Sequence, residues 1–278
     1  MDKPTEQFVP GQGVDQGDVP VSGCSARHPP GFQVPWHCHP TAQLIHTVQG
    51  VMVVSTDGAQ WVVPPTRGVW IPPGVRHQMR MVGEVRSRMV YLRPEMVEKM
   101  PKQCQVVGIS PLLRELILAA TEVVTPCDPA SRDGRVISLL LDELVMLPAL
   151  PLSLPFPADP GLMAICRRLM DRPDDPSTLA DWAQRFGVHV KTIERRFVRE
   201  TGLTFGQWRQ QARLTLALEL LAKGEKIVDV ALALGYGSPS AFATAFRQQH
   251  GVPPSAYRCL EDSVSRSQAR SSSSRRAS

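Results

Sequence analysis

The sequence predicts two domains of different class. The N-terminal one is an all-β sandwich or barrel trailed by two helices, and the C-terminal one is an all-α domain of two helix-turn-helix units joined by a long helix. Three observations carry this. The 278 residues suffice for roughly two globular domains, each with its own core. Short apolar runs between turn residues crowd residues 31–92, whereas helical spacing governs the chain beyond residue 160. Between these regions lies a proline-rich stretch that neither a helix nor a central strand tolerates.

A hydrophobic fraction of 42% and a charged fraction of 21% exclude disorder throughout. Residues 1–25 read as an N-terminal arm. Its opening, Met1-Asp2-Lys3-Pro4-Thr5-Glu6, lacks the basic and apolar regions of a signal peptide. The longest apolar stretches fall well short of a bilayer span, so the expectation is a soluble cytoplasmic chain without membrane contact. Cys24, Cys38, Cys104, Cys127, Cys166 and Cys259 are scattered without a C-x-x-C pair; they read as reduced thiols, not as a disulfide scaffold or a zinc finger.

Residues 26–108 form the β-domain. Val51-Met52-Val53-Val54, Trp61-Val62-Val63 and Met89-Val90-Tyr91-Leu92 are short strands, separated by turn residues such as Asp57-Gly58 and Pro64-Pro65. Within them stand Gly31-x5-His37-x-His39-x3-Gln43-x6-Gly50 and Pro72-x-Gly74-x2-His77. Residues two apart on a strand face the same side. His37 and His39 therefore point together into the domain, where His77 from another strand joins them. Three imidazoles suit a divalent metal; a metal-free pocket lined by hydrogen-bonded histidines is the alternative.

These two motifs resemble those of the cupin superfamily, in which glycine, histidine-x-histidine, glutamate and glycine are followed by P-x-G-x-x-H. The resemblance covers about Gly31 to Leu92 and implies a jelly-roll barrel with a metal or ligand site at His37, His39, Gln43 and His77. Two positions depart from the family pattern. Gln43 stands where the family has its ligating glutamate, and Met81 where its second motif has an asparagine. A neutral amide binds hard cations poorly, and no residue presents itself as a catalytic base. The domain therefore reads as a small-molecule sensor, not an enzyme.

Residues 109–147 are helical. Ser110-Pro111 is a cap followed by proline at the first helical position. Leu112, Leu113, Leu116, Ile117 and Ala120 then recur at helical spacing, and a second helix places Val136, Leu139, Leu140, Leu144 and Val145 on one face. Such stripes must be buried, and a homodimer contact is expected to take part of them. Residues 148–160 form the linker, with Pro148, Pro151, Pro155, Pro157 and Pro160, and its leucines and Phe156 argue for extended packing along a surface. Residues 261–278 are Ser/Arg-rich and read as a disordered basic tail.

Residues 161–260 carry the clearest pattern. Thr178-Leu-Ala-Asp181 is a capping box opening a helix through Leu179, Ala183 and Phe186 to Gly187. A second helix starts near His189 or Val190, with Ile193 and Phe197 inward and Lys191, Glu194 and Arg195 outward. The same order recurs as Ile227, Ala231, Leu234, Gly235, then Ser238, Phe242 and Phe246, one residue longer in the turn. Thr204-Phe-Gly-Gln207 opens a connecting helix with Leu214, Ala217, Leu218 and Leu221 on one face, ending at Gly224. Helix, glycine turn, helix is the arrangement whose second helix enters the DNA major groove. Residues 159–258 hold 14 basic and 10 acidic groups, against 13 and 14 in residues 1–158, so the positive excess sits with the helical domain.

Arg195-Arg196-Phe197, Glu200-Thr201-Gly202, Ile227-Val228-Asp229-Val230-Ala231, Leu234-Gly235-Tyr236, Ser238-Pro239-Ser240-Ala241-Phe242, Phe246-Arg247 and Gly251-Val252-Pro253-Pro254-Ser255-Ala256-Tyr257-Arg258 resemble the AraC/XylS family of bacterial transcription regulators. The resemblance spans residues 161–258, and a cupin-like sensor ahead of that domain is a known arrangement in the family. It implies a one-component, sequence-specific regulator whose partners are double-stranded promoter DNA and a small-molecule effector, with RNA polymerase a further candidate. DNA contacts fall to Lys191, Thr192, Glu194 and Arg195 in the first unit and to Ser238, Pro239, Ser240, Ala243 and Thr244 in the second. Arg suits the paired acceptors of guanine and Glu a cytosine amino group. The short side chains of the second unit suit phosphate docking. Ile193, Phe197, Leu234, Phe242, Phe246 and Tyr257 are assigned to the core. Two other readings compete: a cupin metalloenzyme, oxygenase or isomerase, fused to a DNA-binding module, and a nonspecific DNA-packaging protein. Gln43 weighs against the first and the modest charge of the helical domain against the second.

Overall fold

A computed structural model describes residues 19–65, 67–123, 126–147, 149–150 and 153–255. Most of the predicted arm, the tail 261–278 and Tyr257 lie outside the described residues. The chain divides into two units, Met1–Asp57 with Trp61–Ser153, and Gly58–Gln60 with Leu154–Ser278.

The first unit is built on β1 (Val21–His28), β2 (Gln33–His37), β3 (Ala42–Thr56), the last three residues of β4 (Ala59–Val63), β5 (Arg67–Ile71), β6 (His77–Leu92), β7 (Gln105–Gly108) and β8 (Ala149–Leu150). Strand β1 takes residues 21–25 into the sheet, although the sequence places them at the end of an arm. The strands follow an open path, β1-β6-β3-β5-β7-β8, with β2 on β6 and β4 on β3. Antiparallel β3 and β6 pair along their whole lengths, from Ala42 opposite Leu92 to Thr56 opposite His77, with register shifts at Gln49. Such a shift bends and twists the ladder, so one end of the strand pair carries β1 and β5 and the other carries β2.

Alternation along these strands separates two environments. Leu44, Val90, Leu92, Trp70 and Val21 face α1 (Pro111–Ala120) and α2 (Arg132–Val145), and all are buried in one cluster with Leu113, Leu116, Ile117, Ala120, Leu140 and Leu144. The alternate residues, Gln43 opposite Tyr91 and Ile45 opposite Met89, point to the other face and are buried there. Ser110 caps α1 by accepting from Leu113 N–H, with Pro111 first in the helix. The apolar stripes are narrower than their sequence spacing suggests. Leu112 is exposed, and Leu139 and Val145 remain 43% and 45% exposed. Each lies one residue, about 100° of helix, from a buried neighbour.

The linker is extended where described: β8 pairs with β7, and β9 (Leu154–Pro155) pairs with Ala59 and Gln60. Pro160 does not belong to it. Asp159 accepts hydrogen bonds from Gly161 and Leu162 N–H, so that Pro160 becomes the first residue of α3 (Pro160–Asp171); proline suits that position because no acceptor awaits its missing N–H. Then follow α4 (Leu179–Phe186), α5 (Val190–Thr201), α6 (Phe205–Ala222), α7 (Ile227–Ala233) and α8 (Pro239–His250). Both predicted capping boxes are present, Thr178 with Asp181 and Thr204 with Gln207.

Helix α6 is the axis of the second unit. Its 18 residues span about 27 Å, and it touches α3, α5, α7 and α8. Leu214, Ala217, Leu218 and Leu221 are buried as their spacing predicts, and so are Trp208 and Ala212, because neighbours flank the helix on more than one side. Trp208 packs among Leu154, Leu162, Ile165, Phe197 and Ile193, and its indole Nε1–H donates to Pro155 O at 2.6 Å. Burying a Trp with its one donor satisfied is among the larger single contributions to a small core.

Candidate nucleic-acid interface and effector site

In the first helix-turn-helix, α4 ends at Gly187, whose φ of 64° is the left-handed conformation that side-chain-bearing residues disfavour. His189 then caps α5, Nδ1 accepting from Lys191 N–H at 3.2 Å. Ile193 and Phe197 are buried, which turns Lys191, Glu194 and Arg195 outward, all exposed. Thr192 is half-buried and lines a cleft of about 130 Å³ with Leu162, Phe186 and Arg196. The outward face continues through Val198 and Arg199, a helical turn beyond the residues the sequence reading selected.

The second unit repeats the geometry. Helix α7 gives way to Gly235 at φ 71°, and Ser238 Oγ accepts from Ala241 N–H at 3.2 Å to cap α8. Leu234, Phe242 and Phe246 are buried as their spacing predicts. Pro239, Ser240 and Thr244 are exposed, and Ser238 and Ala243 half-buried. Arg247 and Gln248 are also exposed, three and four residues beyond Thr244. The sequence reading of this face as purely short side chains missed them; continuing the i+3, i+4 pattern one more turn finds both.

The histidines converge in the first unit. His37 closes β2 and His77 opens β6, directly opposite each other; His39 lies just past the strand, so alternation alone does not explain its position. The ring centroids of His37 and His77 are 4.2 Å apart and those of His39 and His77 are 5.3 Å apart. One ligating atom from each ring falls within 4.8 Å of the others. Every Nδ1 meets a backbone carbonyl: His37 at Pro35 O (2.8 Å), His39 at Thr41 O (2.8 Å) and His77 at Val75 O (2.9 Å). His77 is wholly buried and its Nε2 has no hydrogen-bond partner. Burial, with the nearby His37 and His39 charges, lowers its pKa to about 4 against the favourable carbonyl bond. Burial likewise lowers that of His37. Gln43, also wholly buried, sets Oε1 at 3.3 Å from His39 Nε2 and donates through Nε2 to Tyr91 Oη at 2.8 Å and Met89 Sδ at 3.3 Å. The residues fit a nitrogen-rich divalent-metal site, with Gln43 at the fourth position. Met81 is buried, opposite Met52 in the sheet.

A β-domain with an inward-facing polar cluster, joined to paired helix-turn-helix units with charged outer faces, defines a ligand-responsive DNA-binding regulator. Matches of its sequence to protein families and to a characterised regulator bear this out. Residues 19–147 match the AraC-like ligand binding domain and residues 182–259 a helix-turn-helix domain. The chain is 36% identical over 223 residues to the HTH-type transcriptional regulator NimR of Escherichia coli, covering 80% of this chain and 81% of that one. It is 25% identical over 238 residues to the regulator ExsA of Pseudomonas aeruginosa, covering 81% and 80%. A crystal structure of ToxT from Vibrio cholerae aligns over 87% of this chain and 98% of its own at 12% identity and a TM-score of 0.37. The chain belongs to the AraC family of transcriptional regulators, with an N-terminal ligand-binding domain and a C-terminal DNA-binding domain. No helix among the described residues is long and apolar enough to cross a membrane.

Proposed function

We propose that the protein is a one-component switch in which an effector bound at His37, His39, Gln43 and His77 changes how α5 and α8 engage a promoter. The observation that carries the sensor half is the orphaned Nε2 of buried His77 among two further imidazoles: a buried polar atom without a partner costs about 1–3 kcal/mol, which a ligand relieves. On the DNA side, Lys191, Glu194 and Arg195 read base edges, with Thr192 at the margin of that face. Ser238, Pro239, Ser240, Ala243 and Thr244 bring the N-terminus of α8 to the phosphates. An effector that binds one arrangement of the protein more tightly than another supplies coupling of about 1–3 kcal/mol, enough for regulation.

The protein acts without catalysis, in the bacterial cytoplasm, as a homodimer joined through the exposed side of α2, with RNA polymerase as a further partner at the promoter. The test is a thermal-shift screen of the full chain against metals and metabolites, followed by selection of bound sequences from random duplexes with and without each hit. A hit whose effect vanishes in His77→Ala and which alters binding to the selected sequence supports the reading. Turnover of a hit by protein retaining stoichiometric iron or manganese supports the enzyme instead.

A further inference from the structure

Resting on the reading of DNA by α5 and α8, we infer that Arg213, with Arg209 beside it, is a positioning residue. It holds the two helix-turn-helix units at one separation, so that the protein discriminates between targets by the spacing of their two half-elements. The two arginines stand four residues apart on one face of α6, both half-buried. Both reach back to the segment that leads from α3 into α4. Arg213 Nε donates to Pro173 O at 2.9 Å, and Arg209 donates through Nη1 to Ser177 O at 3.2 Å and through Nη2 to Asp175 O. That segment ends on Thr178, which caps α4, so α6 holds the entrance of the first helix-turn-helix.

Arg213 also faces the second helix-turn-helix. Its guanidinium lies 5.8 Å from the centre of the Tyr236 ring, within cation–π range, and Tyr236 packs on Phe242 of α8 with ring centroids 5.4 Å apart. One side chain therefore bridges the approach to α4 and the turn before α8. The turn glycines bear the mark of this contact. Gly187 and Gly235 occupy equivalent positions, at φ of 64° and 71°. A Cβ at Gly187 would meet nothing within 4 Å, whereas one at Gly235 would stand 2.7 Å from Arg213 Nη2 and 3.0 Å from Asp174 Cα. The second turn is thus seated directly on Asp174 and Arg213, a close approach that the first turn does not make.

The bridge matters because small rotations are amplified along the connecting helix. Over the about 27 Å of α6, a rotation of one unit by about 10° displaces its reading helix by about 5 Å, more than a base-pair step of about 3.4 Å. Apolar packing along α6 is non-directional. The planar guanidinium forks, by contrast, bond the carbonyls of residues 173, 175 and 177 at a defined angle, and the crowded Gly235 leaves no slack on the other side.

The experiment measures fluorescence anisotropy of the full chain on the duplex recovered by selection from random sequences. The same duplex with one base pair inserted or removed between its half-elements, and a duplex with the first half-element alone, complete the set. Wild type is expected to lose roughly tenfold or more in affinity when the spacing changes, because both units can no longer engage together. Arg213→Ala and, independently, Gly235→Ala lower that ratio to roughly threefold or less, with affinity for the first half-element alone unchanged and circular dichroism confirming the fold. Gly187→Ala carries the same backbone strain without the collision and keeps the wild-type ratio. A ratio unchanged in Arg213→Ala and Gly235→Ala, or lowered as much in Gly187→Ala, overturns the inference. So does an equal loss on every duplex, the first half-element included, which marks a merely structural role. A wild type indifferent to spacing overturns it too, yet leaves the reading of DNA by both helices standing. Selection that recovers a single half-element or none overturns that reading itself, and the inference with it.

Discussion

Arg196 turns its guanidinium toward Asp159, Nη1 to Oδ2 at 3.9 Å, while its neighbour Arg195 faces solvent. The ion pair is half-exposed and contributes little by itself. Its setting matters more: Asp159 caps α3 through Oδ1, and its own N–H donates to Glu200 Oε2 at 2.9 Å. Helix α5 is therefore tied to the start of α3 at two points one turn apart, Arg196 and Glu200, and the two adjacent arginines have different surroundings.

Arg195→Ala is expected to weaken specific binding by about 1–3 kcal/mol and to relax preference at one base pair, read by gel shift on duplexes varied at each position. Arg196→Ala should leave base preference intact. Equal loss of discrimination in both variants would contradict the division of roles.

Arg247 sits near the C-terminal end of α8, where a long cation reaches phosphates more readily than base edges. Arg247→Ala is expected to weaken binding by a similar factor on every sequence and to lower the salt dependence by about one unit of slope. Fluorescence anisotropy at several salt concentrations measures both. A sequence-selective loss would instead make the second unit a base reader.

Asp175 gathers hydrogen bonds from Ser177, with Arg168 Nε at 2.9 Å. Hydrogen bonds from Ser177, followed by Arg168, hold its carboxyl well below the usual carboxylate range. Because the folded pKa lies below the unfolded value of about 3.9, this stabilisation is complete above about pH 5. It is lost as the pH falls below 4 toward the folded value. Asp175→Asn should cost about 1–3 kcal/mol at pH 7, with the difference from wild type shrinking by pH 3, in urea unfolding followed by tryptophan fluorescence. A cost independent of pH would exclude the carboxylate's charge as the cause.

Leu139 and Val145 stand on the side of α2 turned from its own core. Leu139→Glu is expected to convert a dimer into monomers in sedimentation, with helix content unchanged. Wild type sedimenting as a monomer at micromolar concentration would remove this contact.

Much of the second unit was legible because its signals are local. A threonine three residues before a carboxylate or amide at Asp181 and Gln207, a glycine at 187 or 235, and inward residues four apart at Ile193 and Phe197 each act within one or two helical turns. Arg247 and Gln248 lie one turn further along the same outward pattern. Pro160 was misplaced in the linker because a proline count cannot distinguish an extended chain from the first residue of a capped helix.

The sequence by itself determined the capped starts of α1, α4 and α6, the duplication, the family and the four residues of the histidine–glutamine cluster, since capping and turn preferences and short motifs act over a few neighbours. Only the tertiary structure decided that His39, past the end of its strand, still meets His77, that each Nδ1 finds a carbonyl, and which leucines of α1 and α2 stay outside. Those outcomes depend on which distant strand or helix lies opposite a given side chain, and no short-range preference encodes that.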